Sequence, residues 1–494
     1  MQKGFSTIEL LIACTISLIF LSGASQVIFG GQTALIDGRM TLSAILYTVT
    51  NHDSYKTVSR NDYVIASTSL YINPCSYIKN TRTQWDGDTN RDLIVSINEF
   101  IHEYAYEEKL AEETCDPTPP SLWNNPTLST TYIPTISGTG TDMAFFTRDT
   151  KKYAVITTAN TLPSREDIWI LKIEPTHVTL VSQLNIGAGA LGVVIKDEYA
   201  YVLHASSSEQ LKIVHIKDPE LLSTSSIVAS VTLPNTTSSC AACLTPKSIA
   251  YFDGNIYIGL PYLANLGSIP STRNNELHII CMQNSVRNCS PERPLWVGSF
   301  NVNHNVEDIV IGKNQHTPTQ TIAYLATSAS EARYPELTIY DVSEPDAITF
   351  IGSFSPSGNL YGTALFLIGN FLYMGRERAT GENKDLYVLD ITDPRNPNVI
   401  ADQKLLLRSG TRVTDIVVQK DILFVATSDT THPFFIFEIN AAEKNITRKN
   451  ICMGSDISTS VPSFTYAFNV IYALRAENPA QILTIYDHER SCKK

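Results

Sequence analysis

Oxygen-bearing groups alternate through one short stretch of the chain, in the order that a hard cation requires. Six candidate ligands occupy positions 1, 3, 5, 7, 9 and 12 of a 12-residue window: Asp88, Asn90, Asp92, Ile94, Ser96 and Glu99. Such a loop can wrap one Ca²⁺, with Ile94 contributing its backbone carbonyl and Glu99 both carboxylate oxygens. The spacing therefore predicts calcium as a cofactor.

This window resembles the calcium loops of EF-hand and dockerin proteins. It departs from them at the sixth position, where Leu93 replaces the usual glycine. A bulky residue is strained at the positive φ of that turn, so a weakly held structural ion is expected. A helix is expected to leave the loop from about Glu99 to Glu113. A solvated acidic turn without an ion is the alternative.

The N-terminal segment is apolar from Ile8 to Phe29, apart from the single acid Glu9. A helix of about 20 residues, with a rise of about 1.5 Å each, crosses a hydrocarbon core of roughly 30 Å. The segment therefore predicts a membrane span. Because a carboxylate in lipid needs a partner, Glu9 is a functional candidate.

The leader Met1–Gly4, followed by Phe5 and then Glu9, resembles the class III signal of type IV pilins and pseudopilins. The resemblance implies cleavage between Gly4 and Phe5 by a prepilin peptidase, methylation of Phe5, and pairing of Glu9 with a neighbouring pilin subunit. It also implies insertion in the inner membrane before assembly, and then a place in an extracellular filament at the cell surface.

Three other interpretations of this segment stay open. Ser22-Gly23-Ala24 resembles a signal-peptidase site, which would make residues 1–24 a removed secretory signal. Leu11-Ile12-Ala13-Cys14 resembles a lipoprotein cleavage box, and an uncleaved anchor is the third alternative. All three leave Glu9 without a role.

Composition limits the possible partners. The chain has 494 residues, 43% hydrophobic and 17% charged, which predicts a folded protein of more than one domain. Its formal net charge of −12 argues against nucleic acid as a partner, because phosphate binding requires a basic face.

Eight of the nine cysteines lie outside the N-terminal segment. An even number on an exported chain predicts disulfides, although sequence alone leaves the connectivity open. Proximity favours four pairs: Cys75 with Cys115, Cys240 with Cys243, Cys281 with Cys289, and Cys452 with Cys492. A thioredoxin-like redox motif and half of a zinc site are weaker alternatives for Cys240-Ala-Ala-Cys243.

A Pro-rich linker at 116–126 precedes a repeated pattern of short β-branched and aromatic runs separated by turn residues. The period of about 45 to 58 residues is typical of propeller blades. Seven units share the layout: Tyr153–Ile156 with Asp167–Ile173, Ala200–His204 with Leu211–Ile216, Ile256–Gly259 with Glu276–Ile280, Ala323–Ala326 with Glu336–Val342, Phe371–Met374 with Asp385–Ile391, Ile422–Ala426 with Phe434–Ile439, and Val470–Ala473 with Gln481–Asp487.

Two of these units carry Leu-x-Ile/Val-x-Asp-x-Ser/Thr-x-Pro, at Leu337–Pro345 and Leu386–Pro394, which resembles the LVIVD repeats of bacterial surface propellers. The last unit has three strands, because the chain ends shortly after Ile482–Asp487. Thr127–Ile136, ahead of the first unit, is predicted to supply the missing outer strand and close the ring.

The expected fold class is α + all-β: a long N-terminal helix, a small calcium region and a C-terminal seven-bladed propeller. The expected domains are a leader (1–4), a pilin-like helix (5–57), a calcium-loop region (58–115), the linker (116–126) and the propeller (127–494).

No catalytic motif stands out, so an enzyme is not expected. The resemblances imply a minor pilin or pseudopilin that displays the propeller at a filament tip, for adhesion or for an unknown surface ligand. Loops near 261–275 and 331–335 are candidate ligand surfaces. The alternative is a structural or assembly-priming pseudopilin without an external ligand.

Overall fold

The computed structural model describes the chain in segments, and every structural statement below concerns those segments. They are residues 63–73, 76–86, 92–101, 126–131, 136–160, 164–174, 177–206, 208–234, 245–262, 275–284, 286–314, 316–328, 335–358, 360–378, 383–419, 422–440, 445–448, 460–467, 470–476 and 480–487.

Two groups of strands precede the repeats. A three-stranded sheet, in the order β1-β2-β3, is formed by β1 (Tyr63–Asn73), β2 (Ser76–Asp86) and β3 (Asp92–Ile101). A separate strand, β4 (Pro126–Thr131), pairs with the last strand of the chain.

Six four-stranded sheets each use four consecutive strands, and we number them blades 1 to 6. Blade 1 contains β5 (Thr139–Arg148), β6 (Lys151–Ala159), β7 (Ile168–Ile173) and β8 (Val178–Leu184); blade 2 contains β9 (Ala190–Lys196), β10 (Tyr199–His204), β11 (Leu211–His215) and β12 (Ile227–Val231); blade 3 contains β13 (Ser248–Phe252), β14 (Asn255–Gly259), β15 (Leu277–Cys281) and β16 (Leu295–Phe300).

The same order continues in the next three blades. Blade 4 contains β17 (Val306–Lys313), β18 (Thr321–Thr327), β19 (Leu337–Asp341) and β20 (Thr349–Phe354); blade 5 contains β21 (Gly362–Ile368), β22 (Phe371–Arg376), β23 (Leu386–Asp390) and β24 (Asn398–Gln403); blade 6 contains β25 (Val413–Gln419), β26 (Ile422–Thr427), β27 (Phe434–Asn440) and β28 (Asn445–Arg448).

The seventh four-stranded sheet is composite. Three of its strands are consecutive: β29 (Ser463–Ala467), β30 (Val470–Arg475) and β31 (Gln481–Asp487). The fourth is β4, which lies antiparallel to β31 with Thr131 opposite Ile482 and Pro126 opposite Asp487. The predicted closing strand within 127–136 is confirmed, with the bounds of β4.

The first strands of the blades contact one another in a closed ring, from β5 through β9, β13, β17, β21 and β25 to β29 and back to β5. Seven apolar clusters fill the spaces between neighbouring blades. Along β26, Leu423 and Val425 pack towards blade 5, whereas Phe424 and Ala426 pack towards the composite seventh sheet. Because adjacent side chains of a strand point to opposite faces, both faces of a blade are buried.

This sandwiching explains the sequence pattern. Every residue of β18 and of β26 is buried, so these strands are continuous apolar runs rather than alternating ones. The outer strands β20 and β24 are more polar, and half of the residues in each are exposed. Each fully buried Phe, Leu or Ile contributes about 1.5–3 kcal/mol, but only once the next blade is in place.

The predicted α + all-β class is wrong for the part of the chain that the structure describes. That part is all-β, and its one helical element is the 3₁₀ turn Thr224–Ser226. The predicted helix at 5–57 lies outside the described residues. Within them no helix is long and apolar enough to cross a membrane, which contradicts the predicted membrane-anchored location on a surface filament.

The predicted exit helix from Glu99 is also wrong where it can be compared, because β3 runs from Asp92 to Ile101. Its run of Leu, Ile and Val favours a strand. At about 3.3 Å per residue, Asp92 and Glu99 lie roughly 23 Å apart, too far to ligate one ion. Asp88 and Asn90 lie outside the described residues. Calcium binding stays a sequence prediction.

Candidate functional site

Three first strands carry an aspartate directly after a β-bulge. The pairing of β5, β17 and β25 shifts by one residue just before Asp142, Asp308 and Asp415. One oxygen of each carboxylate accepts a hydrogen bond from the next backbone N–H, at 2.8, 2.8 and 2.7 Å: Met143, Ile309 and Ile416. The bulge thus fixes each carboxylate against its own strand.

The second oxygen of each carboxylate reaches the next blade. Asp142 Oδ2 accepts from the N–H of Val193 (2.9 Å), Asp308 Oδ2 from that of Leu365 (2.7 Å), and Asp415 Oδ2 from that of Phe464 (2.7 Å). Ser463 Oγ of the seventh sheet donates to Asp142 Oδ1 at 2.9 Å. We call Asp142, Asp308 and Asp415 the axial acids, because they fasten first strand to first strand around the ring.

The axial acids lie in an unfavourable electrostatic environment. Burial raises the pKa of all three, and that of Asp308 to about 7. Repulsion by Asp142 adds to the shift of Asp308, and both add to the shift of Asp415. Each nevertheless keeps some solvent exposure. Among the described residues no group of His, Cys, Asp and Glu could hold a metal ion. The hydrogen bonds of the axial acids to the next blade make them fasteners of the ring.

A mixed-charge network lies where the first strands begin. Glu307 Oε1 accepts hydrogen bonds from Lys247 Nζ (2.5 Å) and Asn305 Nδ2 (3.2 Å), and Arg412 lies 3.7 Å from Glu307 Oε2. Burial raises the pKa of Glu377, with Arg412 opposing the shift and Glu307 adding to it. We call Lys247, Glu307, Glu377 and Arg412 the axial mouth. Blades 3 to 6 each supply one of its residues.

The β24–β25 connection, residues 404–412, lies on the same face. Leu405 and Leu407 are buried in the cluster between blades 5 and 6, whereas Leu406 between them is 68% exposed. The backbone of Leu406 has a φ of 60°, a conformation that costs a bulky residue roughly 1–2 kcal/mol. Arg408 and Arg412 follow it, with side chains that are 61% and 48% exposed.

A buried acid or amide comes just before the third strand of each of blades 1 to 5. Each accepts a hydrogen bond from the backbone that leads to the next blade. The pairs are Asp167 with Ile186 (3.0 Å), Gln210 with Leu233 (2.9 Å), Glu276 with Val302 (2.8 Å), Glu336 with Leu360 (3.1 Å) and Asp385 with Leu405 (2.8 Å). These residues hold the inter-blade connections in place, and the repeated sequence signal for them is Asp, Glu or Gln before Leu-x-Ile or a close variant.

Blade 5 adds a buried cation to this arrangement. Arg376 and Glu336 are both fully buried, and their side chains meet at 2.7 Å. Arg376 also donates to the carbonyls of Lys384 (3.0 Å) and Ser357 (3.1 Å), and its guanidinium lies over the ring of Tyr387. This ion pair links blade 4 to blade 5.

Among the described residues no cation pairs with Glu276, and burial raises its pKa to about 7, although the N–H groups of Val302 and Asn303 favour the charged form. Because this value exceeds the reference of 4.5, its contribution to stability is complete below about pH 4.5 and is lost as pH rises towards 7. We expect Glu276→Gln to raise the free energy of unfolding by up to about 3 kcal/mol at pH 8 and by little at pH 4.5.

Urea unfolding of Glu276→Gln and of the unsubstituted protein at both pH values measures this effect. The matched control is Glu344→Gln on the surface. Gln210 already occupies the equivalent place in blade 2, so the substitution fits the site. An equal difference at the two pH values would contradict the prediction.

The opposite face carries two related turns. The N–H of Ser343 donates to Asp341 (3.0 Å), and that of Thr392 to Asp390 (2.8 Å). The prolines that follow, Pro345 and Pro394, place their carbonyls against glycines of the preceding blade's outer strand: Gly298 and Gly352 respectively. A Cβ at either glycine would collide with the proline carbonyl. The Asp-x-Ser/Thr-x-Pro motif is thus an inter-blade lock.

Most of the site residues predicted from the sequence do not belong to the clusters described above. Gly4, Phe5 and Glu9 are outside the described residues, as are six of the eight paired cysteines: Cys75, Cys115, Cys240, Cys243, Cys452 and Cys492. The Cys281–Cys289 disulfide is confirmed. Asp92, Ile94, Ser96 and Glu99 lie along β3, and nothing is described of their side chains. Most of both candidate ligand loops also lies outside the described residues.

Sequence reasoning missed the axial acids, the buried acids before the third strands and the axial mouth. The axial acids did leave a signal, since each follows Thr or Glu and precedes an apolar residue: Thr141-Asp142-Met143, Glu307-Asp308-Ile309 and Thr414-Asp415-Ile416. The axial mouth left no such signal in the sequence, because its four residues come from distant parts of the chain.

The family model of the LVIVD repeat matches residues 363–402, which contain most of blade 5. No curated protein matches the chain. The fold, a β-propeller with an LVIVD repeat, is thus defined by the sheets and by this match.

Similar solved structures include three propeller-sized chains of low identity. The designed Ika8 protein is 10% identical, with a TM-score of 0.44, over 72% of this chain and 99% of that one. Sqt1 of Saccharomyces cerevisiae is 7% identical, with a TM-score of 0.46, over 74% of this chain and 99% of that one. The Cps50 (Swd1) β-propeller domain of Myceliophteria thermophila is 10% identical, with a TM-score of 0.47, over 73% of this chain and 99% of that one.

Proposed function

We propose that this chain is a ligand-binding or adhesive protein of the minor pilin or pseudopilin class, in which the propeller carries the ligand surface. The axial mouth carries the proposal. Lys247, Glu307, Glu377 and Arg412 come from four successive blades, so a ligand there would contact a rigid scaffold through residues that the packing of these blades brings together. The pilin-like sequence Gly4-Phe5 with Glu9 supports the class.

The positions of the charged residues in the propeller favour binding over a purely structural role. Its blades are held together by the axial acids and by the buried acids before the third strands, all of which lie inside the ring. The charges of the axial mouth lie at its end, and Arg412 there is about half exposed. A mixed-charge surface of this kind suits a polar ligand that offers both hydrogen-bond donors and acceptors.

The test is to compare cells that produce the full chain with cells that produce residues 1–115 alone. We expect attachment to surfaces to be lost in the shortened strain, while pilin assembly and processing to a methylated Phe5 persist, as intact mass would show. A full chain with Asp346→Ala, an exposed residue of the opposite face, is the matched control. Unchanged attachment would refute the binding role, and lost assembly would support the priming alternative instead.

A further inference from the structure

The connection from blade 1 to blade 2, residues 185–189, has few side chains that could anchor it. Its central residues, Gly187-Ala188-Gly189, include two glycines with positive φ, 118° and 94°. A Cβ at Gly189 would lie 3.0 Å from the backbone nitrogen of Asn160, so the chain here packs directly against the backbone that follows β6. The connection is therefore held mainly by hydrogen bonds to its backbone.

Two side chains accept hydrogen bonds from this backbone. Asp167 Oδ2 accepts from the N–H of Ile186 (3.0 Å) and from that of Gly187 (3.2 Å). His204 Nε2, at the end of β10, accepts from the N–H of Ala188 (3.1 Å). Blade 1 thus holds the connection through a carboxylate, and blade 2 holds it through an imidazole.

The hydrogen bonds of His204 determine its protonation state. Nε2 faces a backbone N–H, so it acts as an acceptor and carries no proton. Nδ1 lies 2.8 Å from the carbonyl oxygen of Glu209, so this nitrogen carries the proton and donates it. Burial lowers the pKa of His204, and the charge of Lys212 lowers it further, whereas the backbone and the carboxylate of Glu209 oppose the shift. The imidazole is therefore neutral when the connection is in place.

A second proton on His204 is incompatible with this arrangement. Protonated Nε2 becomes a donor that faces the N–H of Ala188, and repulsion between two donors replaces the hydrogen bond. Ala188 is exposed, so water can accept from its N–H once the contact is lost. The glycines on either side allow the backbone to move.

Few other charged groups act on this contact. Glu209 and Lys212 form an ion pair with each other at 2.6 Å. Residues 185–189 include no titratable side chain. Asp167 is the second titratable group that holds the connection, and burial raises its pKa. Asp167 is therefore the alternative source of any response to acid.

We propose that His204 is a pH switch that holds the connection between blades 1 and 2 at neutral pH and releases it in acid. The closed connection excludes the second proton, whereas a released connection leaves the imidazole in water, where histidine titrates near pH 6.5. Because the released state binds more protons, its population rises as the pH falls below about 6.5. This switch goes beyond the proposed function and does not depend on what the axial mouth binds.

Hydrogen–deuterium exchange of the full chain, measured by mass spectrometry of peptides that contain residues 185–190, tests the switch. Division by the exchange rate of an unfolded reference at each pH removes the intrinsic effect of pH. We expect the protection of these peptides to fall about tenfold between pH 7.5 and pH 5. Peptides from β26, whose residues are all buried, should keep their protection.

His204→Gln removes the titration while preserving both contacts. The amide of glutamine can accept from the N–H of Ala188 and donate to the carbonyl of Glu209. We expect this variant to keep its protection at pH 7.5 and to lose the fall at pH 5. His316→Gln, at an exposed residue between β17 and β18, is the matched control and should respond to pH like the unsubstituted protein.

Asp167→Asn separates the two titratable groups that hold the connection. It keeps an acceptor for the backbone of Ile186, and we expect the fall in protection to persist. A fall that survives His204→Gln, or one that disappears in Asp167→Asn, would overturn the proposal. Equal protection of residues 185–190 at the two pH values in the unsubstituted protein would overturn it without any variant.

Discussion

Replacing Asp142 with alanine is expected to lower the free energy of unfolding by about 3–4 kcal/mol. The carboxylate accepts hydrogen bonds from Met143, Val193 and Ser463, so its removal leaves two backbone N–H groups unsatisfied and breaks hydrogen bonds that join three neighbouring blades. Each bond to a charged group contributes roughly 1.5–3 kcal/mol, and the cost of burying the charge offsets part of the sum. Urea unfolding at pH 7 measures the loss.

Two further variants serve as comparisons for this prediction. Asp346→Ala makes the same change on an exposed turn and should alter stability by less than about 0.5 kcal/mol. Asp142→Asn keeps one acceptor and should fall between the two. A loss below about 1 kcal/mol for Asp142→Ala would show that the hydrogen bonds across the ring contribute little beyond the apolar clusters.

Replacing Arg376 with methionine is expected to cost about 4 kcal/mol, because it leaves the carboxylate of Glu336 buried without its cation. Adding Glu336→Gln removes that stranded charge while keeping an acceptor for the N–H of Leu360. The double variant should therefore recover about 2 kcal/mol relative to Arg376→Met alone. Thermal and urea unfolding of the four proteins in this cycle give the coupling directly.

A surface ion pair in the same blade supplies the comparison. Lys384 lies 3.5 Å from Asp402, with both side chains more than a third exposed. Lys384→Met should cost no more than about 1 kcal/mol, because solvent screens the pair. If Arg376→Met and Glu336→Gln prove additive, the two side chains are not coupled and the link between blades 4 and 5 lies elsewhere.

The blades were predictable because their third strands repeat a local pattern. A run such as Leu386–Asp390 is buried on both faces, and that burial imposes the apolar sequence. The closing strand β4 was also predictable, since counting strands in the last unit showed one to be missing. Both predictions used constraints that are visible within a few residues.

The site was not predictable in the same way. The axial acids meet only because the ring closes, so Asp142 and Ser463 contact each other from opposite ends of the propeller sequence. Arg376 ends an ordinary strand, and its burial depends on Glu336 of the preceding blade. The calcium-loop prediction followed a spacing of oxygen groups, but the β-branched residues of β3 favoured a strand there.

The pairing of β4 with β31 also determines the order in which the ring forms. These strands are separated by about 350 residues, so β4 is synthesised long before its partner, and we expect the composite sheet to close last. Until then β31 presents an open hydrogen-bonding edge. We therefore expect refolding at high concentration to favour exchange of β4 between two copies, each strand completing the other copy's ring, which size-exclusion chromatography would detect as domain-swapped dimers.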